Sequence, residues 1–210
     1  LAQKSEGHSE RHEDLRVQRT RKLLQQALFE LTIEKGFAAV TVRDIARRAM
    51  VNRSTFYRHY LDKYDLLNQY LDQLQALTAE AAASAERAGQ TAPESVPAGL
   101  LLLVRHIQEH AGFYRVMLGQ HGDQAFTHRF RQLSEKRYRF LFSRLGQATD
   151  PKAPPADMRL SYISHAVVGA MLWWLENDQP CSPEQLAIWL GQLNMTSAGL
   201  TLQRLTPPSP

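Results

Sequence analysis

Between Asn52 and Lys63 the chain reads NRSTFYRHYLDK, and six of its side chains (Arg53, Ser54, Thr55, Tyr57, Arg58 and His59) are hydrogen-bonding groups with no acid among them. A guanidinium can donate two hydrogen bonds to O6 and N7 of a guanine, a contact worth about 1–3 kcal/mol of discrimination. A threonine offers its methyl to a thymine or its hydroxyl to a phosphate. Arg53 is therefore the first candidate for reading a base and Thr55 the second, with Arg43, ten residues upstream, able to reach backbone or base. The chemistry these types and spacings allow is recognition of a nucleic acid.

Other chemistries find less support. His106 and His110 are four apart on one helical stretch, a spacing that can grip a metal, but no third ligand matches them and no metal site is expected. No Ser/His/Asp or Cys/His arrangement, phosphate loop or paired acid stands out, so no catalytic residue and no cofactor are expected. Cys181 is the single cysteine of 210 residues. It excludes an intramolecular disulfide and a cysteine-based zinc site, and a reducing, cytoplasmic home is the simplest inference. The longest apolar run, Leu100–Val104, reads as buried on nearly all sides and is too short to span a bilayer. No charged-then-apolar secretion signal opens the chain, and the missing initiator Met is read as a trimmed or processed end.

Charge is unevenly placed. Leu15–Lys63 holds eleven Lys/Arg against four Asp/Glu, whereas the remainder holds fourteen against seventeen. A basic head on a slightly acidic body fits a polyanion-binding unit carried by a separate domain.

The candidate side chains need elements to hold them. Residues 1–14 are polar and without periodicity, so a disordered arm is expected. From about Leu15 to Lys35, Thr20, Leu24, Ala27, Leu28 and Leu31 recur at helical spacing, and Gly36 can close that helix in the left-handed conformation. Thr41 with Asp44 forms a capping-box variant opening a short helix whose Val42, Ile45, Ala46 and Ala49 share a face. Asn52 caps a second short helix, Arg53 to Tyr60, with Phe56 and Tyr60 turned inward. Two short helices, a tight turn and a basic second helix describe a helix-turn-helix.

At this point Thr20–Leu67 resembles the DNA-binding domain of TetR-family transcriptional regulators. The resemblance rests on Thr20-Arg21, Glu34, Gly36-Phe37, Thr41-Val42, Ile45-Ala46, Val51, Thr55-Phe56-Tyr57, His59-Tyr60, Lys63 and Leu66 at the family's spacings. It implies that the second helix enters the major groove, that Tyr57, His59 and Lys63 meet phosphates, and that Thr20 and Thr41 stand at anion-favouring helix starts. Arg58 is expected on a phosphate or an additional base. Met50 departs from the pattern by replacing the usual turn glycine, so the turn is made without a free positive-φ position, or Met50 adopts one under strain.

The body reads as further helices, from Asp62 to about Arg87, Glu94 to His110, Gly112 to Leu118, Ala125 to Leu145, Ala156 to Asn177 and Ser182 to about Leu193. Loops fall at Ala88–Pro97 and Pro151–Pro155. The domain division is a head at 15–62, a ligand-binding and dimerisation body at 63–205 and a tail at 206–210, in an all-α fold of about nine helices. Phe113, Tyr114, Met117, Phe130 and Tyr138, with Tyr162, Met171, Trp173 and Trp174, are candidates to line a cavity for a small apolar or aromatic inducer. Ser161, His165 and Gly169, with Leu186, Trp189 and Leu193, are candidates for a homodimer interface, small residues allowing close approach and large ones anchoring it. The family resemblance implies a four-helix dimer bundle, hence a palindromic double-stranded operator, and the GAMLWWLEND…SPEQLA pattern resembles a regulatory subgroup common in low-GC Gram-positive bacteria. The function so implied is a ligand-released repressor; the alternative is a DNA-binding regulator whose body answers to a protein partner or to nothing. No membrane partner is expected.

Overall fold

The computed structural model describes residues 3–89, 97–145 and 154–197, with side chains described over 15–89, 97–139 and 154–194. The expected tail, most of the loop after Ala88 and the first part of the Pro-rich loop lie outside the described residues. Within them the order is α1 (Gln3–Lys35), a 3-10 turn (Phe37–Ala39), α2 (Val42–Arg48), α3 (Arg53–His59), α4 (Lys63–Arg87), α5 (Ala98–Glu109), α6 (Ala111–Leu118), α7 (Gln124–Leu145), α8 (Ala156–Glu176) and α9 (Pro183–Ser197). Among the described residues there is no strand, and no helix is long and apolar enough to cross a membrane.

One expectation fails at the start. The segment read as a disordered arm is helical from Gln3, continuous with α1. Once a helix is nucleated, each further residue gains a hydrogen bond for one more pair of fixed dihedrals, and Gln, Lys, Glu and Arg propagate it well. Helix extension there needs no buried face, so hydrophobic periodicity could not report it.

The head closes by local chemistry. Thr41 Oγ1 accepts from the Asp44 amide while the Asp44 carboxylate accepts from the Thr41 amide, completing the capping box. Asn52 accepts from the Ser54 amide at 3.0 Å, and Asp62 from the amides of Tyr64 and Asp65 at 2.8 Å each. Leu24, Leu28, Ile45, Phe56, Tyr60 and Leu66 meet in one core at no more than 1% exposure, so burial of apolar area sets how α1, α2, α3 and α4 lie together.

That core does not stop at the head. Phe29 of α1 stacks on Phe113 of α6 with ring centroids 4.2 Å apart, and the same cluster continues through Val104, Ile107, Tyr114, Phe130, Met171 and Trp174. α4 packs on α5 and α7, α7 on α8, and α5 on α9. At Gly99 a Cβ would lie 2.3 Å from the Thr78 carbonyl oxygen, so the α4–α5 crossing is set by a missing side chain. Leu100 and Val104 are buried as expected from the apolar run, but Leu101, Leu102 and Leu103 are only half-buried.

Candidate nucleic-acid interface

The α2–α3 turn shows how Met50 does without glycine. Its amide donates to the Arg47 carbonyl at 3.1 Å and the Val51 amide to the Ala46 carbonyl at 2.9 Å, the hydrogen-bond pair of a Schellman motif. The residue between them must be left-handed, and Met50 takes φ 54°. A non-glycine residue in that region costs about 1–2 kcal/mol. Its side chain, 89% exposed, meets no obstruction that would forbid it.

Phe56, fully buried, fixes the rotation of α3. The residues around it therefore face out: Arg53, Ser54, Tyr57 and Arg58 are exposed, and Thr55 and His59 are half-buried. The outer surface is partly pre-arranged. Arg53 lies over the Tyr57 ring with its guanidinium carbon 5.9 Å from the centroid, and Arg58 donates to the Thr55 hydroxyl at 3.1 Å. Tyr57 is half exposed and rests edge-on against Phe56 at 5.6 Å. Burial, then the nearby Arg21 and Arg58 charges, lower the His59 pKa, which favours a neutral ring whose N–H still donates. Arg43 is exposed beside this helix pair on α2.

Three expected contacts are placed differently. Lys63 turns inward: its ammonium donates to the carbonyls of Phe37, Ala38 and Val40 at 2.8, 3.1 and 3.0 Å and sits 4.6 Å from the Phe37 ring centroid. All three donors are occupied, so in the free chain Lys63 caps the 3-10 turn. Burial accordingly lowers its pKa. Thr20 is not at a helix start, because α1 begins at Gln3; its hydroxyl donates to the Arg16 carbonyl at 2.9 Å. Thr41 is at a helix start, but its hydroxyl is bound to the Asp44 carboxylate at 2.6 Å.

Sequence reasoning missed the ties that hold α2 on α1. Asp44 bonds Lys35 at 2.7 Å and Arg47 at 3.2 Å, and Arg48 reaches both Glu30 at 3.0 Å and Glu34 at 2.6 Å. The Lys35 ammonium and then the Thr41 hydroxyl hold the Asp44 carboxyl well below the usual carboxylate range. The i+4 spacing of Glu30 and Glu34 on α1 was the available signal.

The body residues also divide. Phe113, Tyr114, Met117, Phe130, Tyr138, Met171 and Trp174 are buried. They pack with one another: Tyr114 and Phe126 meet at 6.1 Å, Phe126 and Phe130 at 6.0 Å, and Tyr138 bonds Asn194. Tyr162 and Trp173 do not join them. They are 62% and 47% exposed on the outside of α8, because 100° per residue sends Trp173 and Trp174 to different sides.

Of the interface candidates, Ser161, His165, Gly169, Trp189 and Leu193 are exposed, whereas Leu186 is 2% exposed within its own chain and is unavailable to a partner. Met158, at 63% exposure, belongs on the same α8 stripe as Ser161, Tyr162, His165, Gly169 and Trp173, and was missed. A Cβ built on Gly169 meets nothing within 4 Å. His165 is held on both sides, Nδ1 donating to the Ser161 carbonyl oxygen at 2.7 Å and Nε2 accepting from Arg131 at 2.5 Å.

Comparison with known proteins follows the same division. Residues 24–70 match the family model described as bacterial regulatory proteins, tetR family, and residues 94–195 match a transcriptional regulator C-terminal region. Over 183 residues the chain is 27% identical to the uncharacterized HTH-type transcriptional regulator YxbF of Bacillus subtilis, covering 87% of this chain but only 46% of that protein. The chain thus spans about half the length of this curated relative. Its fold is similar to a TetR transcriptional regulator from Streptococcus agalactiae (TM-score 0.59, 24% identity, 88% of this chain and 98% of that one). It is also similar to the dihydroxyacetone kinase operon activator DhaS (0.59, 19%, 86% and 97%) and to NalD of Pseudomonas aeruginosa, the secondary repressor of a multidrug efflux pump (0.54, 20%, 86% and 97%).

Proposed function

The chain belongs to the TetR family of bacterial regulatory proteins, and from that premise we propose that it is a sequence-specific DNA-binding repressor. It acts as a homodimer on a palindromic operator, in the cytoplasm, and is released by a small apolar or aromatic ligand. One observation carries the DNA-binding part: α3 is held by the buried Phe56 so that Arg53, Ser54, Tyr57 and Arg58 all face outward without a carboxylate among them. Arg53 and Thr55 read bases, and Arg43, Tyr57, Arg58 and His59 position the helix on phosphates. The exposed α8 stripe with Trp189 and Leu193 supports the dimer, because an apolar patch of this kind on a folded chain marks an interaction surface.

A ligand would act by population shift, favouring a separation of the two heads that no longer fits successive major grooves. The dense aromatic packing of the body favours a second reading of the control step, in which a protein partner, or nothing, replaces the small molecule. The test is selection of bound DNA from a random pool with the full chain, with and without candidate ligands. Enrichment of a two-fold symmetric sequence is the expected result, and its loss with a ligand would separate the first control scheme from the second. Failure to enrich any palindrome overturns the proposal.

A further inference from the structure

The end of α5 brings together His106, Glu109 and the following His110, and one ligand-type atom from each lies within 4.8 Å of the other two. Glu109 lies between the two histidines in sequence and completes the trio. On a helix the i, i+3 and i+4 positions share a face, and two imidazole nitrogens with a carboxylate oxygen are a donor set for zinc-class divalent ions. The run His106-Ile107-Gln108-Glu109-His110 has the H-x-x-E-H spacing by which some helices hold zinc.

The imidazoles are oriented from behind. His106 Nε2 meets the Tyr70 hydroxyl, which is bonded to the Tyr114 hydroxyl at 3.0 Å. A ligating histidine usually gives its second N–H to an oxygen, which fixes its ring; with Tyr70 as that oxygen, Nδ1 of His106 remains for an ion. The His110 ring is held edge-on by Phe29 at 4.9 Å and lies 4.7 Å from the His106 ring. Beside the cluster runs an open groove of about 450 Å³ lined by Leu101, Leu102, Arg105, His106 and Glu109, so an ion has an entry path and room for water at a further position. Zinc–ligand bonds of about 2.0–2.2 Å require the three atoms to draw together by up to roughly 1.5 Å, of which rotation of the exposed Glu109 side chain supplies the carboxylate's share and small ring rotations the rest.

We propose that His106, Glu109 and His110 form a binding site for a zinc-class divalent ion, with one coordination position open to the groove and Tyr70 as a positioning residue. Tyr70 belongs to α4 and Phe29 to α1, the two long helices that run into the head. Both helices therefore touch the imidazoles that would hold the ion. The proposal goes beyond the regulatory reading and stands or falls without DNA.

The test is titration of Zn²⁺ into the untagged, chelator-stripped full chain by calorimetry, with Co²⁺ absorption as a second readout. The expected result is one ion per chain that is retained in excess Mg²⁺, a rise in Tm on loading, and a visible Co²⁺ band that Zn²⁺ abolishes. Affinity should fall at least tenfold in Glu109→Gln, whose exposed side chain is not needed for folding, and further in His110→Ala, while His128→Ala on α7 changes nothing. Tyr70→Phe should weaken binding severalfold without changing stoichiometry. Absence of micromolar binding, or binding unchanged in both Glu109→Gln and His110→Ala, overturns the site and leaves the DNA-binding proposal untouched.

Discussion

The outer surfaces of α3 and α8 are both solvent-facing and chemically opposite. On α3 every exposed group from Arg53 to Arg58 is a hydrogen-bonding side chain, two of them arginines. On α8 the exposed groups include Met158, Tyr162 and Trp173, with Gly169 leaving an open shallow place among them. A helix that is polar outside and apolar inside is complete in water. One that is apolar inside and also carries large apolar groups outside is complete only when something covers them. The first surface is suited to a charged, hydrated partner and the second to another apolar surface, so the two should fail differently when mutated.

The largest effect is expected at α8. Gly169→Trp, whose Cβ has nothing within 4 Å in its own chain, should convert the proposed dimer to monomer in sedimentation while leaving helicity intact. Two heads joined on one axis gain roughly 10²–10⁴ in affinity over one head, so operator binding should fall on that order. A Gly169→Trp protein that remains dimeric would remove α8 from the interface and leave its apolar stripe without the role that sets it apart from α3.

On α3, Arg53→Ala should cost about 1–3 kcal/mol against the preferred operator and much less against other sequences. Binding measured on a panel of single-base operator variants checks it: a uniform loss across the panel would show that Arg53 meets only phosphate. The proposed dimer should persist in this variant, which is what distinguishes a surface that reads from one that joins.

Lys63 sharpens the comparison from the other side, as a cation of the head that does not face outward. Lys63→Ala leaves the part-buried carbonyl of Val40 without the ammonium, while that of Phe37 keeps the Val40 amide and that of Ala38 is open to water; an unsatisfied buried polar group costs about 1–3 kcal/mol. Chemical denaturation should show that loss, with base preference unchanged. Asp44, which ties Lys35 to the same region, gives the pH counterpart. Its folded pKa is depressed, so its stabilisation is present in full above the unfolded value of about 3.9 and drains away as pH falls below it. Asp44→Asn should flatten the acid limb of a stability-against-pH profile, and an unchanged profile would reject the linkage.

These cases also show which parts of the molecule the sequence could announce. Caps at Thr41 and Asn52 were legible because a cap is made by residues two or three apart. The direction of Lys63 was not, since its acceptors lie 23 to 26 positions away, and a lysine reads the same whether it reaches outward or folds back. Periodicity put Leu186, Trp189 and Leu193 on one helix but could not say which side would meet α5 and α8 of the same chain. Leu186 went inward and the other two stayed outside. Trp173 and Trp174 make the same point, identical neighbours separated only by helical rotation. Glu109 was visible in the sequence all along, but only the folded turn sets its carboxylate beside two imidazoles.

The smallest expected effect lies at the turn between α2 and α3, where local strain and the reading surface meet without overlapping. Met50 holds φ 54° because the paired hydrogen bonds from Met50 and Val51 leave no other conformation for the residue between them. Met50→Gly removes the left-handed penalty of about 1–2 kcal/mol but enlarges the entropy of the unfolded chain by about 0.5–1 kcal/mol. The net is a gain on the order of 0.5–1 kcal/mol in unfolding free energy, with Arg53 and Thr55 unmoved and operator preference therefore unchanged. Destabilisation on that change would mean that the exposed Met50 side chain makes a contact worth more than the strain.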